Sequence, residues 1–515
     1  MVGWFSSDKV DHPLFDPKSS RKTIGELQQD PLKGMGEIAY WLDSINNTEG
    51  FRLDRRCELV DEFEQAARQR LRKLAQDYLQ VRQQKFQENR LWTAQADYWR
   101  LIGAGYVQCI EGFQADAPGA GVIKSRLPII VGRALRAIGQ RLKWLLLRYG
   151  PVDGALWGHV GSLYTFAEVK GFANQDVALY EGPIGQSSAR TELLKILMLS
   201  AGAIDSLLPE QIDVAERSVA WFANKFLLED APEAGCTHVF DLAMRKPPSR
   251  PHGASMDASV RYFGAGAAFD EVKRVHGIVL SEGALPSDIN LGGTFDPKLV
   301  AEVLRHLMQY WALKPPERSS ARRAANVRLT VVQGFSDLIS SLETGEVSSP
   351  SRGSGGVGAD SESWVAENAS DGGYGAVVPG AKSDWVRIGS LLGVKGEGDK
   401  YWSVGVIRRL LRDEEFSRHV GIQLLTRSAI LVRLFPTGSI SAANATRDND
   451  PAALLTLQPD SERQIRLLLR AGGFTQEQQL AMHVRGQVYQ VAPSRMIESG
   501  IEFDLAQFTV IQRIT

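Results

Sequence analysis

Cysteine is nearly missing from this sequence: Cys57, Cys109 and Cys236 are the only three in 515 residues, widely spaced and odd in number. Without a C-x-x-C pair they exclude a disulfide scaffold and a zinc ribbon, and they point to a reducing compartment. Net charge is missing too. The formal value of −1 excludes a globally basic nucleic-acid binder and leaves only local patches. No stretch approaches the roughly 20 uninterrupted apolar residues of a membrane-spanning helix. The opening Met1-Val-Gly-Trp-Phe-Ser-Ser-Asp-Lys9 has neither the cationic start nor the apolar run of a signal peptide. The expectation is a cytoplasmic protein with no transmembrane segment, for which the sequons at Asn46, Asn368 and Asn444 carry no meaning.

Catalytic signatures are also absent. There is no Walker A lysine, H-E-x-x-H, G-x-S-x-G or clustered Cys/His set, and His159, His238, His252, His276 and His306 share no ligand-like spacing. Gly353-Ser-Gly355-Gly-Val-Gly358 is formally G-x-G-x-x-G. It follows Ser-Ser-Pro-Ser-Arg and leads to Ala-Asp-Ser-Glu-Ser rather than joining a strand to a helix, so it reads as part of a mobile Gly/Ser-rich loop over 347–360. No enzyme, metal or cofactor is expected.

What the chain does have is 43% hydrophobic and 23% charged residues, enough for a soluble globular protein of about three domains. Residues 1–232 read as a helical domain. Leu59, Phe63, Ala67, Leu71, Leu74 and Tyr78 recur at steps of three and four. Glu192–Ile204 and Gln211–Leu228 continue the pattern. Residues 233–312 form a mixed α/β segment, with a strand near Thr237 and a helix over Pro297–Trp311. Lys314-Pro-Pro-Glu-Arg then marks the main boundary, because proline cannot continue a helix.

Beyond it the chain turns β-rich. Val327–Val332, Ser363–Glu367, Trp385–Ile388, Tyr401–Ile407 and His419–Leu425 are short strand-like runs separated by turn residues. Such spacing favours a small antiparallel barrel over 313–430. Later runs (Ile430–Leu434, Ile465–Leu469, Gln487–Val491, Ile501–Val510) make 431–515 an additional β-rich subdomain, either a second barrel or an extension of the first. The fold class is thus multidomain α+β, a mainly helical N-terminal region followed by an antiparallel β-barrel with additional β structure.

Two regions carry candidate chemistry. Lys124, Arg126, Arg133, Arg136, Arg141, Lys143 and Arg148 occur with no acidic residue between them. On a helix Arg133, Arg136, Arg141, Lys143 and Arg148 share one side opposite an apolar one, either a solvated face over a helical core or a dock for an acidic partner or membrane surface. The second region pairs Arg318-Ser-Ser-Ala-Arg322 with Asn368-Ala-Ser370-Asp-Gly-Gly373, that is R-x-x-x-R followed by N-x-S-x-x-G at strand ends. Arginine forks bind phosphate or guanine edges in bidentate fashion. An amide and a hydroxyl can bond base edges, and glycine permits close backbone approach.

Over about 316–430 this order of motifs, with Gly-Ile-Gln-Leu-Leu at 421, resembles the PilZ domain, a bacterial receptor module for cyclic di-GMP. The resemblance implies a PilZ-type barrel that binds this nucleotide through Arg318, Arg322, Arg323, Asn368, Ser370 and Gly373. Arg323, beside Arg322, leaves the arginine register open, and Asn368 stands where an acidic residue is usual. The implied protein is a bacterial, cytoplasmic cyclic di-GMP receptor that couples binding to an unidentified protein partner through its helical region. The alternative is an assembly scaffold whose barrel is structural.

Overall fold

The computed structural model describes residues 11–81, 84–181, 185–251, 253, 257–315, 320–344, 361–379, 385–436, 450–455 and 463–514. The Gly/Ser-rich loop over 347–360 and Arg318 fall outside the described residues. The chain divides into two compact units, Met1–Pro316 and Glu317–Thr515.

The first unit is built mainly from helices α1 (Pro17–Gly25), α2 (Pro31–Asn47), α3 (Leu53–Gln80), α4 (Lys85–Gln114), α5 (Ala120–Ile123), α6 (Leu127–Leu146), α7 (Gly154–Val169), α8 (Ala189–Ser200), α9 (Pro209–Phe222), α10 (Ala268–Glu282) and α11 (Pro297–Trp311). Among the described residues its strands are the short hairpin β1 (Val177–Ala178) and β2 (Gln186–Ser187), and a sheet of β3 (Leu227–Glu229), β4 (His238–Asp241) and β5 (Val260–Gly264). The stripe from Leu59 to Tyr78 lies on α3 and every member is buried.

Helix α11 shows why such segments are helical. Asp296 caps the Lys298 amide, Pro297 occupies the first turn where no donor is needed, and Val300, Val303, Leu304, Leu307 and Trp311 bury one face. No described helix is long and apolar enough to cross a membrane.

The basic run differs from both sequence expectations. From Arg126 to Arg148 its basic side chains are neither a solvated face nor an open dock, because neighbouring helices and loops supply carboxylates to them, while Lys124 is exposed. Arg126 and Arg133 share Asp61 of α3, Arg136 approaches Glu192 of α8 at 3.6 Å, and Arg148 meets Glu88 of α4. Arg141 pairs with Asp153 at 2.9 Å. Lys143 is buried between Asp213 and Glu216 of α9 at 2.6 and 2.9 Å. Burial disfavours the Lys143 charge, yet those two carboxylates outweigh it and raise its pKa.

The second unit contains two closed antiparallel barrels. The first comprises β6 (Arg323–Gln333), β7 (Ser361–Ser370), β8 (Gly373–Val378), β9 (Leu391–Gly396), β10 (Ser403–Arg412) and β11 (Arg418–Thr426), paired in the cyclic order β6-β7-β8-β11-β10-β9. The second comprises β12 (Ala429–Pro436), β13 (Asp450–Leu455), β14 (Gln464–Arg470), β15 (Leu480–Val484), β16 (Gln487–Ser499) and β17 (Phe503–Arg513). Its cyclic order is β12-β13-β14-β17-β16-β15, the same wiring as the first. The β structure after 431 is therefore a second barrel, not an extension of the first.

Two local features depart from the sequence expectations. Trp385–Ile388 is not a strand. The Trp385 indole stacks on Trp364 at 5.6 Å, and both indole N–H groups donate to Glu362 at 2.8 Å. An unforeseen helix, α12 (Gly334–Thr344), leaves β6 at Gly334, which adopts φ +68°. Its Phe335, Leu338 and Ile339 pack with Leu391, Val404 and Val406 of the first barrel and with Leu468, Phe503 and Leu505 of the second. The two barrels thus share one core.

Candidate ligand-binding site

The N-x-S-x-x-G run crosses the hairpin between β7 and β8. Ser370 pairs with Gly373 across the two-residue turn Asp371-Gly372. A Cβ at Gly373 would lie 1.9 Å from the Ile422 carbonyl oxygen on β11, so any other residue would push the two strands apart.

A bulge between Ala366 and Asn368 breaks the two-residue alternation of β7. Ala366 remains inside the barrel, while Glu367 and Asn368 can both turn outward. Asn368 pairs with Gly375 of β8, Gly375 with Gly421 of β11, and Gly421 with Arg409 of β10. Flanking Ala376, Val420 and Leu410 are buried, which places this row on the outer face. The two glycines leave room for the side chains at the row's ends: the Asn368 amide lies over Gly375 and the Arg409 stem packs against Gly421.

The arginine half joins the same end of the barrel. Arg323 pairs with Ala369 and Ala324 with Asn368, so the chain at Arg322 enters the sheet beside the N-x-S strand. A cavity of about 210 Å³ opens there, lined among others by Arg322, Ser370, Gly373, Arg408, Arg409 and Gln423. Of the residues expected from sequence, it gathers Arg322, Ser370 and Gly373. Arg323 and Asn368 stand beside it on adjoining strands.

Arg408, Arg409 and Gln423 are additions that sequence periodicity misses. Consecutive strand residues normally face opposite ways. A register shift between Ile407 and Arg409 inserts Arg408 as an extra residue, and both arginines then face the cavity. Arg408 donates from Nε to Gln423 Oε1 at 2.8 Å and forks onto Glu498 of β16 at 2.7 and 2.6 Å.

Two further side chains hold the turn in place. Arg427 donates from Nη2 to the Ser370 and Asp371 carbonyls at 2.8 and 3.3 Å. His419 lies between Asp413 at 2.8 Å and Glu367 at 3.0 Å. Its hydrogen bond to Asp413 raises its pKa, with Glu367 adding to the effect and burial opposing it. The bulge carrying Asn368 is therefore tethered through its neighbour Glu367. Chemically, the site offers guanidinium forks, a hydroxyl and an adjacent amide, which suits an anion that also bears hydrogen-bonding edges.

A larger cavity of about 740 Å³ lies in the helical unit, but its chemistry is weaker. Arg261 in its lining is neutralised by Glu168 at 3.0 and 2.6 Å, and Ser259 donates to Asp241. Neither sequence motif contributes to it. Among the described residues no group of acidic, histidine or cysteine side chains could hold a metal ion.

Comparison with known families gives two matches. Residues 24–233 match the model described as "Cyclic-di-GMP receptor FimW, N-terminal domain", and residues 360–430 match "Cyclic-di-GMP receptor FimW, middle PilZ domain". Together these cover more than half of the chain and leave the second barrel unmatched beyond Ile430. No curated protein and no solved structure matches. The helical part, which carries no signature of its own in the sequence, and the barrel with the N-x-S-x-x-G turn thus point to the same assignment: the chain belongs to the FimW family of cyclic di-GMP receptors and carries that family's PilZ domain.

Proposed function

We propose that cyclic di-GMP binds on the outer face of the first barrel, held by Arg318, Arg322, Arg323, Asn368, Ser370 and Gly373. Binding is then passed to a protein partner through the helical region, in a bacterial cytoplasm. The observation that carries this reading is the register of β6 against β7. Ala324 stands opposite Asn368, so two motifs far apart in sequence meet at one barrel end.

Asn368 Oδ1 supports the fit. It is buried without a hydrogen-bond partner among the described residues, and an orphaned acceptor of this kind suits a guanine N–H. The cavity is smaller than the roughly 300–1,000 Å³ of ordinary ligand clefts, so the dinucleotide lies across it rather than inside it. The arginine arm supplies the remaining contacts. Such a receptor needs no catalysis: binding shifts the population of states that the partner distinguishes.

Titration calorimetry of the full chain with cyclic di-GMP tests the site. Binding is expected, and Arg322→Ala should weaken it by about 1.5–3 kcal/mol, the scale of a hydrogen bond to a charged group. Absence of binding at tens of micromolar nucleotide would leave the scaffold reading standing. A pull-down with and without nucleotide tests the partner: capture that ignores the nucleotide would reject the coupling.

A further inference from the structure

The second barrel repeats the strand order of the first, yet it lacks the ligand motif. At the β13–β14 junction, where the first barrel carries Asn368-x-Ser370-x-x-Gly373, the sequence is Gln458-Pro-Asp-Ser-Glu-Arg463. No R-x-x-x-R stands immediately before β12, where Thr426-Arg-Ser428 leads into the strand. The copy instead sends one acidic side chain to the site of its neighbour. Glu498 of β16 receives both terminal nitrogens of Arg408, a cavity-lining arginine, in a fork whose side chains are 35% and 29% exposed.

We propose that Glu498 is a resident anion that cyclic di-GMP must displace from Arg408. The second barrel thereby lowers the receptor's affinity and registers its occupancy. This rests on the reading that the cavity binds the dinucleotide. A carboxylate and a phosphate oxygen compete for the same planar fork, because both accept two parallel N–H bonds from one guanidinium. The bulge at Arg408 aims the fork at this junction, and Gln423 holds Nε so that only the terminal nitrogens exchange partners. Once Arg408 turns to the ligand, Glu498 is left without its counter-charge. The end of β16 then loses a tie to the first barrel, while the shared core around α12 keeps the barrels together.

The experiment is a double-mutant cycle on the full chain, read by cyclic di-GMP titration of wild type, Glu498→Gln, Arg408→Gln and the double variant. Glu498→Gln should bind about fivefold more tightly, the upper end for a part-exposed bidentate pair. The gain should vanish in the Arg408→Gln background. Unchanged or weaker binding by Glu498→Gln, beside normal wild-type binding, would overturn the proposal and leave the binding site standing. A gain that persists without Arg408 would also overturn it, as a long-range charge effect. If no variant binds, the site reading fails and the proposal with it.

A second measurement needs no variant. Hydrogen exchange at residues 495–499 of the wild-type chain should accelerate when cyclic di-GMP is added. Equal protection with and without ligand, at saturation, would reject displacement of Glu498.

Discussion

Asn368 lies directly over Gly375, so closely that a Cβ on the glycine would sit 2.6 Å from Asn368 Nδ2 and 2.7 Å from Oδ1. The amide therefore owes its place to a missing methyl group on the next strand. Gly375→Ala should push the amide out of position, costing about 1–3 kcal/mol in stability, as overpacking does. It should weaken cyclic di-GMP binding by a similar amount. Gly373→Ala should act differently, because its Cβ would meet backbone, the Ile422 carbonyl, at 1.9 Å. Parallel melting and calorimetry separate the two: Gly375→Ala yields a folded weak binder, and Gly373→Ala a protein whose first barrel is compromised.

The difference between what sequence reveals here and what it hides is one of locality. The α3 stripe and the Asp296–Trp311 helix are legible because their signals lie within a few turns of one segment. The N-x-S-x-x-G turn is contiguous and equally readable. Arg409 alone would fit the two-residue period of β10, but Arg408 beside it would not, since only a bulge lets neighbouring residues face one way. Trp385–Ile388 has the aromatic and β-branched content of a strand, yet its tryptophan is held by Trp364 and Glu362, partners set by the fold. The basic run on α6 misleads for the same reason. Its counter-charges come from helices up to 73 residues away in sequence, and no local pattern announces them.

Arg427 is an exposed residue that braces the ligand-side turn. It spans the Ser370 and Asp371 carbonyls and reaches the Tyr374 hydroxyl at 3.4 Å. Arg427→Ala should cost binding by about 0.5–1.5 kcal/mol, the net value of ordinary hydrogen bonds, with little change in melting temperature. Arg427→Lys keeps the charge but has one nitrogen where arginine uses Nη2 for the carbonyls and Nη1 for Tyr374, and should recover only part of the loss. Full recovery by lysine would show that charge, rather than the brace, matters at this position.

His419 introduces a pH dependence with a definite sign. Its bond to Asp413, assisted by Glu367, raises its pKa above the ordinary 6.5. Its contribution to stability is fully present below pH 6.5 and is lost as pH rises through the raised folded value. The melting temperature of the wild-type chain should therefore decline more steeply above pH 6.5 than that of His419→Gln. A proton-detected titration of the imidazole should show a midpoint above 6.5, and a midpoint below it would contradict the tether to Asp413 and Glu367.

Lys143 provides the stability test for the helical unit. Its ammonium is buried against Asp213 and Glu216, and Asp213 also accepts from Arg217 at 2.7 Å. Removing one partner of a buried ion cluster leaves charge without compensation, so Lys143→Ala should destabilise this unit by about 3–5 kcal/mol. Lys143→Met fills similar volume but, among the described residues, leaves Glu216 with only the Gln140 amide and Asp213 with Arg217 alone, and should recover only part of the loss. A triple replacement of Lys143, Asp213 and Glu216 by apolar residues should lie closer to wild type than either single variant, because the uncompensated charges leave together. The acid limb carries the same information. Burial tends to raise the pKa values of Asp213 and Glu216, but Lys143 outweighs it and holds both below the ordinary carboxylate values. Their stabilisation is present above those ordinary values and is lost as pH falls through the depressed ones. Chemical denaturation at neutral and strongly acidic pH should show the gap between wild type and Lys143→Ala closing in acid, since the carboxylates are then protonated whether or not the lysine is present.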